Sequence, residues 1–226
     1  MRPWQLLDRD TIPGTTRELC LYQRGDEFSI KIAGGGELMN SRVHGSEDAL
    51  AELACRAVDG AVDRVLIGGL GMGYTLAAAL SHVGPETEVI VAELVPAVVR
   101  WNRGPLGVFA GRPLDDPRTQ VHEGDVARLL KKAREAYDVI LLDVDNGPEG
   151  LTRKENDWLY GPAGLDAAYR ALRPGGCLGV WSAGPAPEFT ERLRRTGFEV
   201  ETHQVRAHRP GKGARHVVWL ARRVSY

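Results

Sequence analysis

The sequence of 226 residues contains only three cysteines, Cys20, Cys55 and Cys177, and no CxxC pair. An odd number of widely spaced cysteines argues against a disulfide framework, and the missing pair argues against a zinc site. No apolar run approaches the length of a membrane span, and the first residues do not form the apolar segment of a secretory signal. We therefore expect a cytoplasmic protein with no membrane span and no bound metal.

The chain also has no excess of charge of either sign, because 29 Lys and Arg residues face 30 Asp and Glu residues. This balance gives no general attraction to nucleic acid or to a membrane surface. One basic stretch, residues 206–223, has six Lys and Arg residues and two His, but it contains a Gly/Pro turn and has the charge expected of a solvated sheet edge. Composition therefore argues against nucleic acid as a partner.

Short apolar runs rich in β-branched residues alternate with helical stretches from residue 64 onward. Such alternation predicts βαβ units and a doubly wound parallel sheet. The predicted strands are residues 64–69, 88–94, 119–124 (the weakest), 137–144 and 176–183, and the predicted helices are 74–83, 95–104, 125–136 and 161–173. Two further extended runs, 198–206 and 216–223, surround a Gly/Pro turn and predict a closing antiparallel hairpin.

The N-terminal part has a different pattern. Residues 17–42 contain two or three short strand-like segments, and residues 46–58 predict a helix with Ser46 as its N-cap. The sequence therefore predicts two units. Residues 1–45 form a short β meander, and residues 46–226 form the α/β domain.

Four glycines fall within "GGLGMG", residues 68–73, where the first predicted strand turns into a helix. In doubly wound folds this turn binds a nucleotide. The dinucleotide pattern GxGxxG is not matched, because the sixth position from Gly69 is Tyr74, and the lysine of a triphosphate loop is missing. The remaining pattern, Gly69, Gly71 and Gly73, predicts backbone close to a nucleoside, although a tight turn alone would also use glycines.

Two acidic residues support a nucleoside. Glu93 ends the next predicted strand, where a carboxylate accepts both ribose hydroxyls. Asp125 follows the next strand and is placed to accept from an adenine amino group, or equally to cap the following helix. Ribose and adenine without a required phosphate indicate S-adenosylmethionine or a relative of it.

These segments resemble the class I S-adenosylmethionine-dependent methyltransferases and, within them, the spermidine synthase-like group. The resemblance covers roughly residues 16–183 and rests on "RVLIGGLGMG", "VIVAELVPAVV", "DDPRTQVHEGDVARLL" and "YDVILLDVDNGPEG". It implies an α/β fold with a Rossmann-like seven-stranded methyltransferase sheet, parallel with a C-terminal antiparallel hairpin, plus a short N-terminal β meander. It also implies a homodimer, because family members often dimerise through the N-terminal region.

Two departures from the aminopropyltransferases of this group bear on the cofactor. Their glycine loop reads GGGDGG, and here Gly71 stands at the aspartate. That aspartate pairs with the amine of decarboxylated S-adenosylmethionine and repels the carboxylate of the parent compound. In their D-x-x-D-P pattern, Asp143 matches the first aspartate, but the second acid is displaced to Asp145. Both departures favour S-adenosylmethionine as the cofactor, with the decarboxylated form as the alternative.

The resemblance also assigns roles to single residues. Asp143 and Asp145 are the predicted catalytic residues, and Asp143 is expected to contact the cofactor as well. The substrate is expected to contact Asn146, Glu149 and Tyr160. Three acids beside an asparagine suit an amine-bearing acceptor, although Asp, Asn, Gly and Pro also form turns and buried aromatics are more often core residues. His44 and Glu47, where the N-terminal helix begins, are candidates to cover the cofactor from its other side.

The sequence thus predicts an S-adenosylmethionine-dependent methyltransferase of spermidine synthase-like type that acts on a small, amine-bearing acceptor. The first alternative is an aminopropyltransferase of polyamine biosynthesis, which uses decarboxylated S-adenosylmethionine. The second alternative is a non-catalytic nucleoside-binding protein. Methylation of nucleic acid is disfavoured, because the NPPY motif of enzymes that methylate base amines has no counterpart after the strand that ends near Asp143.

Overall fold

A computed structural model describes residues 2–144, 148, 157–208 and 212–225. The N-terminal residues form a four-stranded antiparallel sheet in the order β1-β2-β3-β4. Its strands are β1 (Gln5–Thr11), β2 (Glu18–Arg24), β3 (Glu27–Ile32) and β4 (Glu37–Asn40). The sequence predicted two or three strands here. It did not predict β1, because this edge strand is largely exposed and carries no apolar run.

The second sheet has seven strands in the order β10-β11-β9-β8-β5-β6-β7. Neighbours from β9 to β7 run parallel, and the β10–β11 hairpin pairs antiparallel with β9. This confirms the predicted α/β class, including the sheet, its terminal hairpin and the N-terminal meander. The strands are β5 (Arg64–Gly68), β6 (Glu88–Glu93), β7 (Thr119–Glu123), β8 (Tyr137–Leu142), β9 (Leu172–Ser182), β10 (Phe198–His208) and β11 (Lys212–Arg223).

Helices cover both faces of the seven-stranded sheet. They are α1 (Gly45–Arg56), α2 (Tyr74–His82), α3 (Pro96–Arg103), α4 (Val126–Lys132), α5 (Asp157–Tyr160), α6 (Pro162–Ala171) and α7 (Pro187–Thr196). Alternate residues of a strand point to opposite faces. Accordingly, Val65 and Ile67 of β5 pack in the cluster of α1–α3, whereas Leu66 packs in the cluster of α4–α7. Burial on both faces explains why the parallel strands are continuous apolar runs.

Three local predictions are wrong. Ser46 is not the N-cap of α1: the cap position is His44, without a side-chain hydrogen bond. The helix predicted to reach residue 136 ends at Lys132, because Ala133 is extended and Glu135 has a φ of +45°. Strand β9 begins at Leu172, inside the helix predicted for 161–173. Apolar periodicity does not mark any of these boundaries, since each depends on local backbone geometry.

The four-stranded sheet packs against segments that connect the first strands of the seven-stranded sheet. The indole nitrogen of Trp101 in α3 donates to Asp8 of β1 over 2.7 Å, and Phe28 of β3 packs against Phe109 with ring centroids 5.3 Å apart. The meander therefore lies near the turns that leave β5 and β6. Among the described residues, no helix has the length and apolar character needed to cross a membrane.

Candidate functional site

A cavity of about 180 Å³ lies at the carboxyl ends of the parallel strands. Its walls come from the turns after β5, β6, β7 and β8 and from the four-stranded sheet. Carboxyl ends of parallel strands meet at one edge, so residues distant in sequence converge here. The predicted site residues that line the cavity are Gly69, Gly71, Glu93, Asp125 and Asp143.

The glycine loop after β5 runs close to two neighbouring segments. Gly69 has a φ of +92°, and a Cβ atom there would overlap the carbonyl oxygen of Asp143. Gly71 has a φ of +52°, and its Cβ would lie 3.1 Å from Sδ of Met39 in β4. Gly73, with a φ of +84°, precedes α2 and lies outside the cavity wall. A side chain at Gly69 would therefore push the loop away from β8, and glycine is required there.

Glu93 is buried at the end of β6, and both of its carboxylate oxygens accept hydrogen bonds from backbone amides. Oε2 accepts from the amide of Leu70 over 2.9 Å, and Oε1 accepts from the amide of Val95 over 2.8 Å. Burial raises the pKa of Glu93, while these backbone hydrogen bonds act in the opposite direction. Each carboxylate oxygen has a further lone pair. The amides of Gly71 and Leu94 also act on this carboxylate and lower its pKa. The role of Glu93 toward ribose stays a prediction.

Asp125 lines the cavity and also caps a helix. Its Oδ1 accepts from the amide of Ala127 over 2.8 Å at the start of α4. The preceding residue, Gly124, donates its amide to the carbonyl of Glu93 over 2.8 Å. The structure shows Asp125 as a helix cap and leaves it facing the cavity, so both roles predicted from the sequence are compatible with it. Contact with adenine stays a prediction.

Asp143 and Glu47 place two more carboxylates in the cavity. Thr75 in α2 donates its hydroxyl to Oδ2 of Asp143 over 2.6 Å, and Ser46 donates to Oε2 of Glu47 over 2.6 Å. Burial raises the pKa of Asp143. Burial, followed by the negative charge of Asp143, raises the pKa of Glu47 to about 7. Two carboxylates that repel each other away from bulk water favour the binding of a cation.

The remaining predicted site residues are placed differently or lie outside the described residues. Tyr160 is buried, donates its hydroxyl to the carbonyl of Val144 over 3.1 Å and is not among the residues that line the cavity. Asp145, Asn146 and Glu149 lie outside the described residues. Their roles stay predictions.

The residues that line the cavity and that the sequence did not single out include Met39, Thr75 and Trp181. Thr75 carries a weak signal, since a hydroxyl in the first turn after a glycine loop faces the neighbouring strand ends. Met39 and Trp181 carry none, because the first belongs to a separate sheet and the second stands in an ordinary apolar strand.

The model of the spermine/spermidine synthase domain matches residues 44–190. The chain belongs to this family. Polyamine aminopropyltransferase 1 of Streptomyces coelicolor is 34% identical over 144 residues, which cover 62% of this chain and 26% of that protein. Polyamine aminopropyltransferase 2 of Pseudomonas aeruginosa is 32% identical over 137 residues, which cover 59% of this chain and 37% of that protein. The matches thus cover only 26% and 37% of the length of these two relatives.

Two solved structures share the fold. A spermidine synthase in complex with the transition-state analogue AdoDATO superposes with a TM-score of 0.76 at 19% identity, covering 96% of this chain and 73% of that one. The spermidine synthase of Thermotoga maritima gives a TM-score of 0.73 at 17% identity, covering 96% and 72%. The match includes the N-terminal residues, since almost the whole chain is covered.

The prediction of a methyltransferase is wrong. The two relatives described above bear the name of another transferase, polyamine aminopropyltransferase. The prediction relied on Gly71, which removes one carboxylate from the glycine loop, and on the displacement of the second acid of the D-x-x-D-P pattern to Asp145. The cavity nevertheless keeps carboxylates at Glu47 and Asp143, and these would also repel the carboxylate of S-adenosylmethionine. One missing aspartate therefore does not identify the cofactor.

Proposed function

We propose that this chain is the catalytic domain of an aminopropyltransferase that transfers an aminopropyl group from decarboxylated S-adenosylmethionine to a small amine. Membership of the spermine/spermidine synthase domain family supports this, as do the names of the relatives. The fold shared with a spermidine synthase that binds a transition-state analogue is compatible with it.

One observation carries the proposal: a single cavity holds a buried carboxylate tied to the glycine loop and a separate pair of carboxylates. We assign the ribose hydroxyls to Glu93 and the adenine to Asp125, because both carboxylates line the cavity and Glu93 accepts from the glycine loop. Glu47 and Asp143 supply negative charge for an amine. The donor has these same two ends, a neutral nucleoside and a primary ammonium.

The donor supplies a sulfonium that activates the adjacent carbon of its aminopropyl chain. Transfer forms a bond from the acceptor nitrogen to that carbon, breaks the carbon–sulfur bond and leaves its electron pair on sulfur, which gives neutral methylthioadenosine. The new ammonium releases one proton. In this chain we assign Asp143, which accepts a hydrogen bond from Thr75, to orient the acceptor or take that proton. Positioning of the nitrogen accounts for most of the remaining work.

The direct test is an incubation of the purified chain with decarboxylated S-adenosylmethionine and a panel of diamines and longer polyamines. Mass spectrometry should detect methylthioadenosine and an acceptor enlarged by one aminopropyl group in equal amounts. Asp143→Asn should form neither at a comparable rate. Tight binding of the donor without either product would contradict the proposal and favour the non-catalytic alternative.

Two further features remain proposals. The division of the chain at residue 45 is supported by the separate four-stranded sheet. A homodimer formed through the N-terminal region is supported by Leu6 and Leu7, which are exposed apolar residues on the edge strand β1. The oligomeric state of wild type and of Leu6→Asp, measured by light scattering, tests the second proposal.

A further inference from the structure

Aminopropyl transfer requires a partner for the donor's ammonium, and the glycine loop of this chain does not provide one. The resemblance places that partner at position 71, which is glycine. The structure shows what fills the space instead: a Cβ on Gly71 would lie 3.1 Å from Sδ and 3.5 Å from Cε of Met39. An apolar thioether from β4 therefore lies in tight contact with the position where the side chain of a loop aspartate would begin.

Carboxylates reach the same cavity from two other elements. Asp143 follows β8 beside the loop, since its amide donates to the carbonyl of Gly68 over 2.9 Å. Glu47 enters from the first turn of α1 and lies close enough to Asp143 for their charges to interact. One oxygen of each carboxylate accepts a hydrogen bond from a hydroxyl: Thr75 donates to Asp143, and Ser46 donates to Glu47.

The position of Glu47 is fixed by more than its own helix. The hydroxyl of Ser46, which donates to Glu47, lies 2.9 Å from Nδ1 of His216 in β11. His216 in turn packs edge-on against Trp181 of β9, with ring centroids 4.8 Å apart. Helix α1 and two sheet strands thus orient the carboxylate toward the cavity, a degree of support that a solvated surface glutamate would not have.

A second observation points to a ligand at this wall. The indole nitrogen of Trp181 is buried and has no hydrogen-bond partner among the residues that the structure describes. Buried donors are nearly always partnered in folded proteins. Trp181 lines the same cavity as Glu47 and Asp143. An indole N–H only donates and an ammonium has no acceptor, so this nitrogen is placed for an acceptor atom of a bound molecule, and the two carboxylates remain the partners for an ammonium.

We propose that Glu47, together with Asp143, holds the primary ammonium of the donor's aminopropyl group and so replaces the loop aspartate that is absent at Gly71. The inference rests on the proposed function. It assigns donor specificity to α1: one cation between two carboxylates relieves their repulsion, whereas a donor that keeps its carboxylate adds a third negative charge. Glu47 is thus a specificity-determining residue, and Asp143 is shared between donor binding and transfer.

The experiment compares two ligands with the same nucleoside. Decarboxylated S-adenosylmethionine carries the aminopropyl ammonium and a sulfonium charge, and methylthioadenosine lacks both, so the comparison separates the charged end of the donor from its nucleoside. We expect Glu47→Gln to weaken binding of the first roughly 10- to 100-fold in calorimetry, the effect of losing one charged hydrogen-bonding partner. Binding of methylthioadenosine should stay within about threefold of wild type. Glu86→Gln, at an exposed position, is the matched control and should change neither affinity.

Equal losses for both ligands, or no loss for either, would overturn the inference. If Glu47→Gln does not fold, Glu47→Asp replaces it, and its affinity must fall for decarboxylated S-adenosylmethionine alone. Failure of the proposed function gives a different result. In that case wild type itself would form no aminopropylated product, whatever the donor affinity of Glu47→Gln. A wild type that transfers the group while Glu47→Gln keeps full donor affinity contradicts this inference and leaves the proposed function standing.

Discussion

The backbone amide of Leu70 donates to Oε2 of Glu93 over 2.9 Å, so the glycine loop is tied to the end of the neighbouring strand by a buried carboxylate. The other oxygen holds the amide of Val95 in the same way. Glu93 therefore shapes the loop as well as facing the cavity. Loss of the side chain would leave two amides without their acceptor and remove the predicted ribose contact at the same time.

Glu93→Ala should therefore weaken binding of methylthioadenosine by about 100-fold or more, since two hydrogen bonds to ribose hydroxyls are lost. Glu93→Gln, which keeps one acceptor oxygen, should have an intermediate affinity. Calorimetry with the purified variants measures both values. If Glu93→Ala binds within a few-fold of wild type, the nucleoside does not lie where we place it.

The close approach of Gly69 to Asp143 predicts a large cost for any side chain at this position. Gly69→Ala combines a positive φ of +92° with overlap against a backbone carbonyl, so its free energy of unfolding should fall by about 3 kcal/mol or more. Gly34→Ala is the matched control, because Gly34 has a φ of +69° and open space around its Cβ. It should cost only about 1 kcal/mol. Urea unfolding compares the two, and equal costs would show that the loop can move away from β8.

Much of this architecture could be predicted from the sequence, because the parallel strands are buried on both faces and therefore appear as apolar runs. β5 and β8 are examples, and Glu93 and Asp143 follow from their positions at strand ends. The boundary of β9 could not be predicted, since "RPGG" at residues 173–176 has the composition of a turn but forms part of the strand.

The contacts that the four-stranded sheet and α1 make at the cavity could not be predicted from the sequence for a different reason. Met39 reaches Gly71 only because a separate antiparallel sheet docks over the loop, and no local pattern specifies such a contact. Ser46 illustrates the same limit. Its type and position predict an N-cap, yet its hydroxyl donates to Glu47 and lies beside His216, which is 170 residues away. Both contacts, that of Met39 with Gly71 and that of Ser46 with His216, depend on packing between segments distant in sequence.

The contact between Met39 and position 71 can be tested by restoring the loop aspartate. Aspartate tolerates a φ of +52°, so strain in Gly71→Asp should come mainly from the thioether 3.1 Å away. We expect Gly71→Asp to lose about 1–2 kcal/mol of stability. Met39→Ala should relieve this loss, giving a coupling of about 1 kcal/mol in a double-mutant cycle measured by urea unfolding. Strict additivity of the two substitutions would show that Met39 does not occupy the space.

The carboxylate pair predicts a pH-dependent stability that Glu47 controls. Burial and the charge of Asp143 raise the pKa of Glu47 from 4.5 to about 7, so the folded state binds this proton more tightly than the unfolded chain does. The contribution of Glu47 to the free energy of unfolding is therefore largest below the unfolded pKa, declines as the pH rises toward about 7 and is constant above it. Glu47→Gln cannot ionise and lacks this decline.

Glu47→Gln should consequently become more stable relative to wild type as the pH rises, by roughly 1–3 kcal/mol in total, because each unit of pKa shift is about 1.4 kcal/mol and the side chain keeps some access to the cavity. Urea unfolding of wild type, Glu47→Gln and the exposed control Glu86→Gln at about pH 5, 6.5 and 8 measures the difference. The control should parallel wild type throughout. If Glu47→Gln also parallels wild type, the two carboxylates do not repel each other in the folded protein, and a cation has no excess negative charge to neutralise there.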